Sequence, residues 1–308
     1  MGVMAVTKAG QLSLIQDFGR YGCSQLGLTQ GGPVDDYAFS WANYLLGNDL
    51  NTAAIEITLG QALFTFEQDA MIAICGGDLQ PRINQIPVAN WSRHWIKRGQ
   101  TLSFSLPRNG LRAYLAIKGG FKCTPHFGSA STVQREMVGG LQQDGSALEV
   151  GDQVEFSDEQ TKLTSKQVTF RFIPDYNLPL TLRVIESYQN KSFHPDSLRK
   201  LYSGSFSISQ NSNRMGYRLE GDTINPPSGN LISEGIALGS IQVPPDGNPI
   251  ILLNDRQTLG GYPKLGCVAR IDLPRLAQAK PGQKIQFVKG DLEGLQKVWC
   301  KWARFFGY

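Results

Sequence analysis

Paired cysteines are missing from this sequence. Cys23, Cys75, Cys123, Cys267 and Cys300 are scattered, with no CxxC and an odd total. That pattern argues against a disulfide framework and fits reduced cytosolic thiols, and no local signature marks any of them as a nucleophile. Long apolar runs are missing too: nothing reaches the length that spans a bilayer, and residues 1–14 carry one lysine and no apolar stretch of signal-peptide length. The chain is therefore expected in the cytoplasm, with no membrane contact. Charge is sparse, at 18% of residues with a net +4, and no block of Lys or Arg exceeds a pair. A nucleic-acid footprint is not supported by such a distribution. Only three histidines occur, His94, His126 and His194, far apart and without ligand spacing, so no metal site is expected. Neither a P-loop Gly-x-x-x-x-Gly-Lys nor a Gly-x-Ser-x-Gly elbow is present.

What is there is ample core material and many turns. With 308 residues and 41% hydrophobic content, the chain can hold two domains of ordinary size, each with its own core. Glycine (34) and proline (16) are spread along the chain, separating short apolar or alternating segments. Met71–Cys75, Thr101–Leu106, Arg112–Ile117, Gln153–Phe156, Val168–Ile173 and Leu180–Ile185 all read as strands. One phrase recurs three times: residues 97–104, 148–156 and 280–287 each place a glycine turn ahead of an alternating strand, a device suited to entering or closing a barrel. The second copy ends at Phe156 and a polar stretch, 157–167, follows, which predicts domains over 1–160 and 161–308. Helices are expected over Pro33–Leu46, Pro195–Tyr202 and the tail, where Leu292, Leu295, Trp299, Trp302 and Phe306 form one stripe.

Polar clusters mark the candidate sites. The segment Ser240–Pro263 is the densest: an apolar strand, Pro249–Leu253, follows the turn Pro244-Pro245-Asp246-Gly247. Asn254, Asp255, Arg256, Gln257 and Thr258 then leave it together, ahead of Gly260-Gly261. In the first domain, Gln16-Asp17-Phe18-Gly19-Arg20 offers a guanidinium fork for a carboxylate or phosphate. Asp17 there orients the fork, acts as a base, or pairs with Arg20 to fix a turn. Asp35 and Asp36 read as helix-capping residues. Gly128-Ser129-Ala130-Ser131-Thr132 is either an anion-binding nest or an ordinary Ser/Thr turn. In the second domain, Arg214 and Arg218 stand four apart, as ligands for an anion or braces for neighbouring acids.

Taken in order, Gln16-Asp17-Phe18-Gly19-Arg20, the Gly-Pro-x-Asp at 32–35, Gly128-Ser129-x-Ser131-Thr132, Arg214-Met215-Gly216-x-Arg218-Leu219-x-Gly221, Ser233-Glu234-Gly235 and the 240–263 segment resemble the allophanate hydrolase subunit 2 family. That family includes the C subunit of bacterial 5-oxoprolinase, KipA and part of the carboxyltransferase component of urea carboxylase. The resemblance implies a mainly β fold of two cyclophilin-like β-barrel domains with a few short helices. It implies a non-autonomous component of an ATP-dependent 5-oxoprolinase, opening the lactam 5-oxo-L-proline to L-glutamate. Its implied partners are a subunit 1 family protein, equivalent to the B subunit of 5-oxoprolinase, and a third protein like the A subunit. The alternatives within the family are a biotin-dependent carboxyltransferase acting on a urea-like amide and a regulatory protein that sequesters a kinase inhibitor. ATP comes with the resemblance, since no nucleotide motif is present, and no Met-Lys-Met marks covalently bound biotin in this chain. By the same resemblance the catalytic candidates are Asp17, Arg20, Asp255 and Gln257. The substrate- or phosphate-binding candidates are Gln16, Ser129, Ser131, Thr132, Arg214, Arg218, Thr258 and Tyr262.

Overall fold

A computed structural model describes residues 1–158, 160–228 and 231–308. The chain is mainly β and divides into two compact units. Unit 1 comprises Met1–Tyr21, Gly31–Asn177 and Phe306–Tyr308; unit 2 comprises Gly22–Gln30 and Leu178–Phe305. The division falls after Asn177 rather than within 157–167, a stretch of which Glu159 lies outside the described residues. Residues beyond Phe156 still belong to unit 1: Lys166–Gln167 pairs with Ser92–Ile96, and the Tyr176 hydroxyl donates to Asp35 Oδ2 at 3.1 Å.

Unit 1 is built from two six-stranded sheets around one core. The first runs Gln153–Phe156, Gly2–Ala9, Ala62–Phe66, Thr101–Ser103, Arg82–Ile83, Ile86–Pro87; the second runs Lys166–Gln167, Ser92–Ile96, Ala70–Asp78, Asn109–Ile117, Ala54–Thr58, Leu12–Gln16. The period of two decides which side chains meet: Met4 and Val6, Phe64 and Phe66, Ile55 and Ile57, Ile72 and Ile74, and Leu115 and Ile117 all enter the same core cluster. Each such side chain contributes roughly 1.5–3 kcal/mol of transfer free energy. Ala70–Gly77 is buried at every position because its other face carries a helix, Asp36–Leu46. That helix starts later than Pro33, at a genuine cap: Asp35 accepts from the Ala38 N–H at 2.9 Å, and Gly47 ends it with φ 63°.

Unit 2 contains a closed seven-stranded barrel, in the order Leu180–Glu186, Lys264–Val268, Ser240–Gln242, Ile250–Leu252, Gly216–Gly221, Phe206–Ile208, Lys284–Lys289. Parallel pairing of the last strand with the first closes the ring and removes exposed edges. Alternation again sets the core: Tyr217, Leu219, Ile241, Val243, Ile251, Leu253, Leu265, Ile285 and Phe287 fill it. The helix expected over Pro195–Tyr202 is present as Pro195–Ser203, and the tail stripe lies on a helix, Leu292–Phe306. On the tail helix Trp299 and Trp302 stack at 4.6 Å and the Arg270 guanidinium lies 4.1 Å from the Trp299 ring centre, while Leu292 is exposed.

The threefold phrase is one device used three times. Gly99, Gly151 and Gly282 have φ of 78°, 99° and 80°, and nothing lies within 4 Å of where a side chain would begin, so conformation alone selects glycine. In each copy the glycine N–H donates to the carbonyl of another segment (Phe66, Val6, Ile208) and the next residue's N–H closes a turn onto the residue three back. One expected strand is absent: Val168–Ile173 leaves the sheet after the Val168 N–H bonds to the Trp91 carbonyl, and Phe170–Phe172 makes a 3₁₀ turn. Alternation there has no partner strand to sit against, and Phe170 is exposed.

Candidate functional site

The first-domain candidates do come together, in a buried knot whose carboxylate is met by the knot's own donors, while Gln16 Oε1 finds no hydrogen-bond partner among the described residues. Strand Leu12–Gln16 delivers Asp17 to the 128–132 turn. The Asp17 carboxylate accepts from the Gly19 N–H at 2.9 Å, the Ala130 N–H at 2.7 Å, the Ser131 hydroxyl at 2.7 Å and the Ser129 hydroxyl. Of the backbone amides at Gly128–Thr132 expected to form a nest, the Ala130 N–H donates to Asp17, while those of Ser129, Ser131 and Thr132 donate to the His126 carbonyl, the Ser129 hydroxyl and the Ile15 carbonyl. The Arg20 guanidinium donates to the carbonyls of His126 (3.4 Å), Ser129 (3.3 Å) and Ser131 (2.7 Å). Gly139 lets that fork pass, since a side chain there would begin 2.6 Å from Arg20 Nη2. Thr132 bonds to the Ile15 carbonyl through its hydroxyl at 3.0 Å, and Gln16 Nε2 donates to the Thr132 carbonyl at 3.1 Å. Gln16, Asp17, Arg20, Ser129, Ser131 and Thr132 are all at least nine-tenths buried. This geometry braces a turn; it offers no open acceptor of a proton.

Unit 2 behaves differently. Arg214 and Asp255 form a buried two-pronged pair, Nε to Oδ2 at 2.8 Å and Nη2 to Oδ1 at 2.9 Å, joined by the Asp255 N–H to the Arg214 carbonyl at 3.0 Å. Asp255 thus fixes the loop that leaves strand Ile250–Leu252. The same loop is pinned by Thr29, whose hydroxyl lies 3.2 Å and 2.7 Å from the carbonyls of Asn254 and Arg256.

Outside the barrel wall, beside that loop, lies a cavity of about 550 Å³. Cross-strand register builds its floor. Arg218 opposes Ile250, Ile250 opposes Gln242 and Gln242 opposes Lys264, a row on the outer face, since their neighbours Tyr217, Leu219, Ile241 and Ile251 point into the core. A two-stranded ribbon, Glu234–Gly235 with Leu259–Gly260, supplies a wall and buries Gln242 to 5% exposure. The ribbon is tied down at Glu234, which takes an ion pair from Lys264, a hydrogen bond from the Tyr188 hydroxyl and one from Gln189 Nε2 at 2.8 Å. The Lys264 and Tyr188 contacts hold the Glu234 carboxyl below its ordinary value.

Arg218, Gln257 and Tyr262 line this cavity; Arg214, Asp255 and Thr258 stand behind or beside its lining, with the Thr258 carbonyl accepting from the Ile236 N–H at 3.1 Å. Among the lining residues outside the site candidates, Arg256 and Gln242 present the polar groups of most consequence. Arg256, read only as a member of a polar loop, donates through Nε to the Ile236 carbonyl at 2.9 Å, and its partial burial lowers its pKa while leaving the guanidinium charged. Gln242 gave no signal, because a glutamine at an outward position of a strand ordinarily faces water. Its Nε2 is buried with no hydrogen-bond partner among the described residues. Among the described residues the lining contains two arginines and no Asp, Glu, His, Lys or Cys, so it attracts an anion and supplies no general base. Nor does it suit a magnesium nucleotide: no acid faces the cavity, and no group of three His, Cys, Asp or Glu side chains converges among the described residues. The thiols add no nucleophile here, burial pushing Cys123 up to about 12, Cys267 up to about 11 and Cys75 well above its ordinary value.

Fold and cavity together define a mainly β protein with a cation-lined recess on the outer wall of a closed barrel. The model of the carboxyltransferase domain, subdomains A and B, matches residues 26–289, and the chain belongs to that family. It is 35% identical to the 5-oxoprolinase C subunit of Escherichia coli over 99% of this chain and 96% of the relative, and 34% identical to the 5-oxoprolinase C subunit of Haemophilus influenzae over 92% and 90%. Among solved structures, the urea carboxylase of Kluyveromyces lactis superimposes with a TM-score of 0.89 at 25% identity, covering 99% of this chain and 29% of that one. The resemblance read from the motifs therefore holds. No helix among the described residues is long and apolar enough to cross a membrane.

Proposed function

We propose that this chain is the substrate-receiving component of an ATP-dependent 5-oxoprolinase, working with a subunit 1 protein of the B type and a third protein of the A type to open 5-oxo-L-proline to L-glutamate. The observation that carries this reading is the near end-to-end likeness to two 5-oxoprolinase C subunits, covering 96% and 90% of their lengths. Chemistry supports it. A lactam is a weak electrophile because its nitrogen donates into the carbonyl; phosphoryl transfer from ATP to the lactam oxygen releases ADP and opens that carbon to water, the C–N bond then breaks to leave the protonated amine and an acyl phosphate, and a second water hydrolyses the acyl phosphate to the carboxylate and inorganic phosphate. The cavity can hold the anionic substrate but lacks a base and any acid to hold magnesium, so those groups come from the partners.

The test is ATP-dependent glutamate formation by the three proteins, with each omitted in turn. Activity of the complete mixture, lost on every omission, is the expected result. Activity of this chain alone, or an inactive complete mixture, overturns the reading. The family description favours a second reading, carboxyl transfer from a biotin carrier supplied in trans, because a carboxyl group is also a small anion. Avidin sensitivity and a bicarbonate requirement separate the two.

A further inference from the structure

We infer that the unit 2 cavity is a carboxylate subsite, in which Gln242 Nε2 and the Arg256 guanidinium take the two oxygens of a small organic acid whose body rests on Met215, Ile250 and Leu252. Gln242 carries the inference. A buried amide N–H without an acceptor is costly and is kept where something else supplies the acceptor. It lies at 5% exposure on the wall of a cavity whose described lining residues include no acid. The neighbouring cations point to an acceptor that is also an anion. Arg218 has its charge met by Asp246 at 2.9 Å. Asp255, the acid adjacent to Arg256 in sequence, already has both oxygens on Arg214 at 2.8 and 2.9 Å. Arg256 spends its Nε and Nη1 on the backbone carbonyls of Ile236 and Leu253, which aims the guanidinium rather than neutralising it.

Gly260 keeps the space above this pair open. A side chain there would begin 2.5 Å from Ile236 Cδ1 and 3.0 Å from Gln242 Nε2. The apolar side of the cavity, Met215, Ile236, Ile250 and Leu252, accepts a short hydrocarbon or ring and no second charge.

This rests on the proposed function only in the choice of 5-oxo-L-proline as first probe. Calorimetric titration and thermal melts of the full chain would use three probes: 5-oxo-L-proline, 2-pyrrolidinone (the same ring without the carboxylate) and cyclopentanecarboxylate (a carboxylate without the lactam). Both acids should bind and 2-pyrrolidinone should not. Gln242→Leu should weaken both acids by about tenfold or more, while its Tm without ligand equals or exceeds that of the wild type, because the unmatched amide is gone. Gln242→Met, of similar volume, should behave alike and serves if the leucine variant misfolds. A purely structural Gln242 would give the opposite: lower Tm and unchanged binding. No binding by either acid, wild-type binding in both variants, or 2-pyrrolidinone binding as tightly as 5-oxo-L-proline overturns the inference. Cyclopentanecarboxylate binding without 5-oxo-L-proline binding upholds the subsite and counts against the substrate named above. The omission assay reads that substrate independently.

Discussion

In unit 1 the Asp17 carboxylate takes four donors from residues 19–131 and the Arg20 fork spends itself on backbone carbonyls. In unit 2 Asp255 takes the two prongs of Arg214, and Gln242 Nε2 finds no acceptor among the described residues. Both regions are rich in arginine, carboxylate and glycine, and both look functional when read as residue types. The difference lies in the setting of what is left over: in unit 1 it is an uncharged acceptor, Gln16 Oε1, inside the braced turn, and in unit 2 a donor on the wall of a cavity. A polar cluster whose charges are met by its own donors and carbonyls is a strut, and those groups lose reactivity in proportion to how well they are held. A cluster that leaves a buried donor beside a cation and a cavity retains the capacity to bind.

The comparison is most directly broken by removing the two carboxylates. Asp17→Ala strips an acceptor from two hydroxyls and two N–H groups and should cost about 4 kcal/mol or abolish folding. Asp255→Ala removes the acceptor of both prongs from the buried Arg214 and should cost about 3–5 kcal/mol. Urea titration followed by circular dichroism measures both. If either variant kept wild-type stability, its role as a strut would be wrong.

A smaller effect sharpens the likeness of the units. Gly99→Ala, Gly151→Ala and Gly282→Ala should each cost about 1 kcal/mol, with the three values equal within error, because the strain is conformational and no neighbour is struck. Asparagine, which tolerates positive φ, should recover part of each loss. Unequal costs in the same melts would mean that the three turns are alike only in sequence.

The smallest effect concerns pH. Glu234 has its pKa lowered in the folded chain by Lys264 first and Tyr188 second, so the stability it contributes is fully present above its ordinary value of 4.5 and fades as the pH falls through its folded value. The Glu234 side chain is 34% exposed, so the loss should be slight overall and concentrated in the ribbon. Hydrogen exchange at Gly235, Ile236 and Gly260 between pH 6 and pH 3.5 should show local opening absent from Glu234→Gln, which has no charge to lose.

Legibility from sequence differed between these regions for physical reasons. The three glycine turns, the Asp35 cap and the stripes of the helices are local: the signal and its partner lie within a few residues, so spacing is enough. The 128–132 turn was visible, but its partner was not, because Asp17 arrives from more than a hundred residues away. Arg214 was read as an anion ligand or a brace for a neighbouring acid, and Asp255 as a catalytic group; that the two pair with each other, across 41 residues, was not visible in their spacing.

Length, turn spacing, alternation and the order of the motifs were sufficient to establish a mainly β chain of two parts and the family to which it belongs. Hydrogen-bond partners, by contrast, are a property of three dimensions. Only the tertiary structure decided that the division follows Asn177, that residues 22–30 belong to the second unit, that Asp17 is consumed, and that Gln242 lies buried and unmatched beneath the ribbon. The reason is that side-chain identity states what a group can donate or accept, whereas burial and register determine whether anything is there to meet it.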